Sequence, residues 1–432
     1  MDITIVSLSE DSICISINNA DDYKLLLRIF QVNDKQEIFY VQIADKDFKS
    51  RLDILDSLDK RYRRLKANLN GIPNGTKYLV LPNYYEDSIE LINLKNQVFK
   101  INNLEIDSSI MLIPDKIRQF SSKYWVRVYE GDGKAQSFGV VDKFDRVCRF
   151  CNRSMPDVSF AHKSHAITEA LGNKSLICRE ECDECNERFS RTIEPHITNM
   201  HSFLLSFYCV KGKNGVKKVK GRNFKLSIDK SNETAGDIDT ICIQYDGLIN
   251  DSDDIKSIIN NITLDTSSLT FIPQNVYKCF CKYVISVLDN KYLPNFQKTI
   301  NWINEEPTRP IKLPPIYSYN NPDHLSGPTM LICIRKSDDY NSPYCIAVLT
   351  IVNKSYIYIL PFSSQDKYRF VNPKKQDLFK RIVKQWLDHP GISLISLASP
   401  NRTYTSINLN GEVEQGCQLG KDYFIKKKKE NQ

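Results

Sequence analysis

The chain has 432 residues, with 59 Lys and Arg against 52 Asp and Glu and a net charge of +7. Hydrophobic residues make up 41% and charged residues 26%, which excludes wholesale disorder and, at this length, predicts more than one domain. There is no apolar run of the ~18–20 residues needed to span a membrane, no signal-peptide pattern in Met1-Asp2-Ile3-Thr4-Ile5, and an odd count of 13 cysteines, so a reducing cytoplasm is expected.

Residues 1–140 read as an α+β (or α/β) domain. Ser12 to Ile17 alternates as a half-buried strand does, and Leu25 to Phe30 and Ile38 to Ile43 are further strand candidates. Leu52, Leu55, Leu58, Tyr62, Leu65 and Leu69 then form one helical stripe, stopped by Gly71-Ile72-Pro73. Lys60, Arg61, Arg63, Arg64 and Lys66 on its other face read as a solvated surface. Residues 141–205 hold a cluster of cysteines and histidines. Residues 206–432 read as a second α+β domain, opening with a lysine-rich hairpin and continuing with a core-facing helix marked by Val276, Phe280, Val284 and Leu288. Six of the 18 prolines fall between Glu305 and Pro328, predicting an extended connector rather than a central strand. Strands follow at Met330–Arg335, Tyr344–Val352 and Ser355–Leu360. Asn372-Pro373 then caps a helix presenting Leu378, Ile382 and Trp386. Gly131-Asp132-Gly133-Lys134 lacks the upstream glycine and the following Ser or Thr of a phosphate loop and is rejected as one.

The chemistry concentrates in the middle. Five of the 13 cysteines lie between Cys148 and Cys185, and four of the six histidines, His162, His165, His196 and His201, lie in or just after that segment. Cys148-x-x-Cys151 and Cys182-x-x-Cys185 each offer two thiolates, and four thiolates close a structural Zn²⁺ site. A redox pair needs only one such motif, and core cysteines need no such spacing. Cys178 is spare and is expected to pack. A zinc joining the two knuckles brings the short strand at His165 against the helix that opens near Asn186. An imidazole there is able to deprotonate water, and a hard divalent cation on oxygen ligands neutralises a leaving oxygen.

Cys148-x-x-Cys151, His165-Ala166-Ile167, Leu171-Gly172-Asn173 and Cys182-x-x-Cys185-Asn186 together resemble the HNH endonucleases, the ββα-metal nucleases built on a zinc knuckle. The nearest subgroup pattern is HxIPExLGN…ECDxCN, whose members occur in bacterial antiphage and restriction proteins. The resemblance spans about 50 residues; it implies a ββα-metal module with His165 as general base and Asn186 binding catalytic Mg²⁺ or Mn²⁺. It further implies that Asn173 orients the histidine and that Glu169 supports the site or binds metal. Thr168 stands where the pattern has proline. Ser164 stands where many members carry an acidic or histidine metal ligand, leaving His162, Glu194 or His196 to supply it.

The stretch 211–225 contains Lys211, Lys213, Lys217, Lys218, Lys220, Arg222 and Lys225 and no acid, a charge equal to that of the whole chain. Beside a nuclease motif it reads as a phosphate-backbone contact; alone it would read as a solvated hairpin. The run Lys426 to Lys429 reads as a tail. The sequence therefore predicts an α+β multidomain chain with a central HNH module, structural Zn²⁺ and catalytic Mg²⁺ or Mn²⁺, cutting DNA in antiphage defence or restriction. A homo-oligomer or a defence-system partner protein fits that setting. The rival readings are a zinc-stapled DNA-binding regulator without catalysis and an RNA-cutting toxin.

Overall fold

Ile3 and Ile5 alternate with Thr4 and Val6, and Tyr78 and Val80 with Leu79 and Leu81, so these two strands have apolar groups for both faces of a sheet. In the computed structural model they lie side by side in a four-stranded antiparallel sheet, Ile13–Ser16, Asp2–Val6, Lys77–Leu81 and Tyr40–Ile43 in spatial order. The structure describes residues 2–8, 13–17, 20–32, 40–57, 62–81, 88–104, 120–229, 240–245, 262–321, 325–384, 391–405 and 407–409. The chain divides into two compact units, Met1–Arg127 and Val128–Gln432. In the first unit, Ile3, Ile5, Tyr78 and Val80 pack with helices Ala20–Ile29, Lys46–Leu52 and Tyr62–Asn70. Val6, Leu79 and Leu81 pack with Leu94 and Val98 of helix Ser88–Ile101.

Two expectations for this unit are corrected. Leu25 to Phe30 belongs to a helix, Ala20–Ile29, and the residues buried are Leu26, Ile29 and Phe30. A short unbroken apolar run does not by itself distinguish strand from helix, and the acidic first turn at Asp21 and Asp22 was the signal for the latter. The stripe from Leu52 to Leu69 buries Leu52, Leu55, Tyr62, Leu65 and Leu69 as expected, but on helix Lys46–Leu52, a 3₁₀ turn Asp53–Ser57 and helix Tyr62–Asn70. Leu58, and the side chains of Lys60, Arg61, Arg63 and Arg64, lie outside the described residues; Lys66 pairs with Asp53 at 2.8 Å.

The second unit is built on a six-stranded sheet ordered Ser393–Ile395, Ile316–Asn320, Lys354–Ile359, Cys345–Ile351, Thr329–Arg335 and Tyr124–Glu130, the last being the strand in which the division falls. Ile316–Asn320 corrects the expectation of a connector: it is hydrogen-bonded on both sides, to Lys354–Ile359 and to Ser393–Ile395. The prolines bracket this strand and none lies within it, so its ladder keeps every N–H donor. In the helix Pro373–Ile382, capped as expected by the Asn372 side chain, the residues buried are Phe379 and Val383 instead of Leu378 and Ile382; Trp386 and Lys426 to Lys429 lie outside the described residues.

Every residue of helix Pro273–Val287 is buried, Lys278 and Lys282 included. One flank meets the sheet: the Phe280 and Tyr358 rings stack at 5.1 Å, the Tyr277 hydroxyl donates to the Ile359 carbonyl, and the Tyr358 hydroxyl donates to the Phe280 carbonyl. The other meets the cysteine-rich segment, where Asn275 donates to the Thr192 carbonyl. Phe150, Ile167 and Phe189 thus share a single apolar cluster with Phe280, Leu349 and Tyr358. No helix among the described residues is long and apolar enough to cross a membrane.

Candidate functional site

The two Cys-x-x-Cys knuckles come together. The sulfurs of Cys148, Cys151, Cys182 and Cys185 all lie within 4.8 Å of one another, and those of Cys151 and Cys182 are 3.7 Å apart. Sulfurs at the usual Zn–S distance of ~2.3 Å around a tetrahedral centre stand about 3.8 Å apart, so the spacing fits that ion. Crowding also splits the thiols: Cys185 hydrogen-bonds to Cys148 and pulls its pKa down to about 5, while burial pushes Cys182 up to about 12. Cys178 is buried outside the group and packs, as expected.

Each knuckle is tied to the body of the unit by an arginine. Arg149 is buried; its guanidinium pairs with Glu180 at 2.9 Å and donates to the Ile285, Ser286 and Leu288 carbonyls at the C-terminal end of helix Pro273–Val287. These are carbonyls that a helix end leaves without intrahelical partners. Glu180 packs against Gly139, whose φ of +94° and closeness to the carboxylate leave no room for a side chain. On the second knuckle Arg188 bridges the Cys185 sulfur, at 3.4 Å, and the Asn304 amide oxygen, at 2.8 Å.

His165 ends a two-residue strand, Ser164–His165, paired with Leu176–Cys178. The connection turns through Glu169–Leu171 and closes at Gly172, whose φ of +92° requires glycine. Thr168, standing where the pattern has proline, has a φ of −55°, the value a proline ring would impose. Asn173 is fully buried and spends its amide on the main chain: it donates to the Ile167 and Leu176 carbonyls and accepts from the Ser175 and Leu176 N–H groups. This corrects the expectation that Asn173 orients the histidine: its contacts are with the connecting loop and not with the ring. Ser164 is also buried, its hydroxyl donating to the Glu181 carbonyl.

A cleft of about 770 Å³ lies in front of this strand pair, lined by His165, Glu169, Asn186, Glu194, Lys213 and Lys217 among others. Asn186 stands at the end of the first turn of helix Asp183–Thr192, and Glu194 opens helix Glu194–Met200. The His165 Nε2 lies 3.7 Å from Glu169 Oε2. Burial lowers the His165 pKa below its ordinary 6.5, against the opposing pull of Glu169, so the ring is neutral at pH 7. The hairpin of Lys211–Gly212 and Gly215–Val216 brings Gly212 against the main chain of Glu169 and Ala170, which places Lys213 at the mouth. Of the seven basic residues of 211–225, all exposed, only Lys213 and Lys217 line the cleft; Lys163 joins them there. Lys211, Lys218, Lys220, Arg222 and Lys225 stand outside it, with Arg222 3.9 Å from Asp265.

The other histidines are not among the residues that line the cleft. His162 is exposed, and its main-chain N–H is held by Asp183. His196 accepts from the Ile272 N–H, and the buried His201 bonds to the Ile197 carbonyl and the Tyr356 hydroxyl. What sequence reasoning missed lies beneath the cleft. Lys282, fully buried, sits 3.0 Å from Glu181 and 3.2 Å from Glu194, and its ammonium donates to the His165 carbonyl at 3.1 Å. Burial pushes the Glu181 carboxyl up to about 7 even with Lys282 beside it. A lysine within an apolar helical stripe was the only signal available.

Among comparisons with known proteins, residues 148–202 match the family model described as HNH endonuclease. Neither a curated protein nor a solved structure matches the chain.

Proposed function

We propose that this chain is a metal-dependent endonuclease of HNH type that hydrolyses DNA phosphodiesters in the cleft at His165. The observation that carries the reading is the convergence of His165, Glu169, Asn186 and Glu194 on one cleft whose mouth bears Lys163, Lys213 and Lys217. His165, neutral at pH 7, accepts the proton of an attacking water at Nε2, since Nδ1 is closed to solvent, and the Glu169 carboxylate 3.7 Å from Nε2 stabilises the imidazolium that forms. Glu194 and Asn186 present oxygen donors from two helices. Glu194 thereby supplies the carboxylate that Ser164, buried and engaged elsewhere, does not. Glu194 and Asn186 would hold a hard divalent cation, Mg²⁺ or Mn²⁺, which would supply neutralisation of charge at the leaving oxygen. These donors are not drawn into a tight cage: among the described residues the four cysteines alone form a close group of His, Cys, Asp and Glu ligand atoms. The cysteine set offers no open position, so its Zn²⁺ is structural. Lys213, Lys217 and Lys163 hold the backbone by counterion release.

DNA is taken as the substrate from the resemblance to HNH endonucleases. Plasmid incubated with Mg²⁺ or Mn²⁺ is expected to be nicked or cut, and His165→Ala is expected to lose about 10²- to 10⁴-fold in rate with zinc content unchanged. Equal cutting by the variant would refute His165 as base, and cutting of RNA alone in parallel digests would replace DNA as the substrate. An antiphage or restriction setting belongs to the same reading: cells carrying the chain should plate phage less efficiently than cells carrying His165→Ala.

A further inference from the structure

Lysine is rarely left in a fully closed site unless something holds its charge. Lys282 is held by three groups from three different elements: the Glu181 carboxylate that precedes the second knuckle, the Glu194 carboxylate at the start of helix Glu194–Met200, and the His165 main-chain carbonyl. Its own element, helix Pro273–Val287, lies beyond residues 148–202, the segment that matches the HNH model. Two of the three partners belong to side chains or strands that line the cleft, His165 and Glu194. Glu181 does not reach the cleft, and its side chain is closed to solvent.

The three contacts differ in what they do. The bond to the His165 carbonyl adds a hold on the end of a strand only two residues long, whose ladder runs to Leu176–Cys178 alone in the three-stranded sheet. The contact at Glu194 Oε1 takes one carboxylate oxygen and sets the direction of the other. Glu181 and Glu194 set two acidic groups against the ammonium, the compensation that a buried lysine requires. The Phe189 ring, 6.0 Å from the ammonium, closes the same space.

We propose that Lys282 is a positioning residue of the cleft: its ammonium fixes the His165 main chain and the Glu194 carboxylate relative to each other, so the site is completed by a helix outside the nuclease motif. This rests on the nuclease reading for the role of the cleft but not for the binding of a divalent ion to it. Outer partners of metal ligands typically change affinity about 10- to 100-fold when removed.

The test uses the whole chain and four variants: Lys282→Met, Glu194→Gln, the double variant Lys282→Met with Glu181→Gln, and that double variant with Glu194→Gln added. The double variant removes both the ammonium and its balancing carboxylate and is the one expected to fold if Lys282→Met alone does not. Zinc content and the thermal midpoint report folding, Mn²⁺ binding is followed by the electron paramagnetic resonance of the free ion, and plasmid cleavage is measured over a range of Mg²⁺. The expected result is a folded double variant with Mn²⁺ affinity about 10- to 100-fold weaker, a matching rise in the Mg²⁺ needed for half-maximal cutting, and unchanged metal-free binding of a DNA duplex. Adding Glu194→Gln to the double variant should then cost little more, because both act on one ligand. A folded double variant with wild-type Mn²⁺ affinity overturns the proposal. If the wild-type chain binds Mn²⁺ but cuts nothing, the nuclease reading fails while weaker Mn²⁺ binding in the double variant still supports the positioning role. Absence of Mn²⁺ binding by the wild type overturns both, and failure of both the single and double variants to retain zinc assigns Lys282 to the core and overturns the positioning role.

Discussion

Asn173→Ala offers a sharp test of how the motif holds itself together. The side chain is fully buried and makes four hydrogen bonds, all with main chain: to the Ile167 carbonyl at 2.6 Å, to the Leu176 carbonyl at 3.0 Å, and from the Ser175 and Leu176 N–H groups at 3.2 and 3.0 Å. Truncation does not strand all four groups. The Leu176 carbonyl keeps the Ala166 N–H, at 3.0 Å, as a partner. Ser175 N–H likewise keeps the Gly131 carbonyl, at 3.1 Å, so Leu176 N–H and the Ile167 carbonyl are the two groups left unmade. At about 1–3 kcal/mol for each buried polar group left unmade, the loss is about 2–6 kcal/mol. In a unit of this size that lowers the thermal midpoint by about 3–9 °C, read by scanning calorimetry with zinc retention as a second readout. Because the amide does not touch His165, plasmid cutting well below the midpoint should change little. A variant that keeps its midpoint but loses cutting would show the amide acting in the cleft, and would refute the assignment of its role to the connecting loop. Asn173→Asp sharpens the test: a carboxylate facing two carbonyls has its pKa raised in the folded state. Its stability is then intact below the unfolded pKa of about 3.9 and falls as pH rises through the folded value, so acid should partly rescue it.

Three more outcomes follow from the same geometry. The intact chain should carry one tightly bound zinc by metal analysis, and Cys182→Ser should lose both the ion and the folded centre; zinc-free, fully folded protein would remove the scaffold. His201 is buried with its pKa lowered to about 4, chiefly by burial, so its contribution is complete above the unfolded value of 6.5 and lost as pH falls from there toward 4. That amounts to about 3 kcal/mol, and chemical denaturation of wild type and His201→Gln across that window should converge on the acid side. Lys213→Ala with Lys217→Ala should flatten the slope of log affinity against log salt for a DNA duplex by about 1.8; an unchanged slope would detach the first basic hairpin from phosphate binding.

The residues whose chemistry depends on spacing were legible. The four cysteines meet because two x-x gaps make two knuckles, and His165 and Asn186 share a cleft because each follows or precedes a knuckle at short range. Gly172 was readable as part of a motif, and its positive φ explains why. Less legible were features set by distant packing. Asn173 is a residue type common at active sites, yet burial turned its whole amide inward. His162 sits near the motif in sequence, yet its side chain is exposed and its main-chain N–H is held by Asp183. Leu25 to Phe30 failed for a different reason, since an apolar run carries no period of its own. Lys282 was barely legible, its one mark being a lysine within an apolar stripe: only the fold brings it beneath a histidine far earlier in the chain.

The long helix also bears on when, during synthesis, the cleft is completed. Its end is plugged by Arg149 of the first knuckle, and its Lys282 lies under His165. On the nuclease proposal, a chain ending at residue 205 carries the whole motif but lacks both the helix that Arg149 plugs and the ammonium beneath His165. Such a chain should neither retain zinc nor cut plasmid, and a growing chain should complete the site only after Lys282 has left the ribosome. The order in which the polypeptide emerges would then set when the site is assembled.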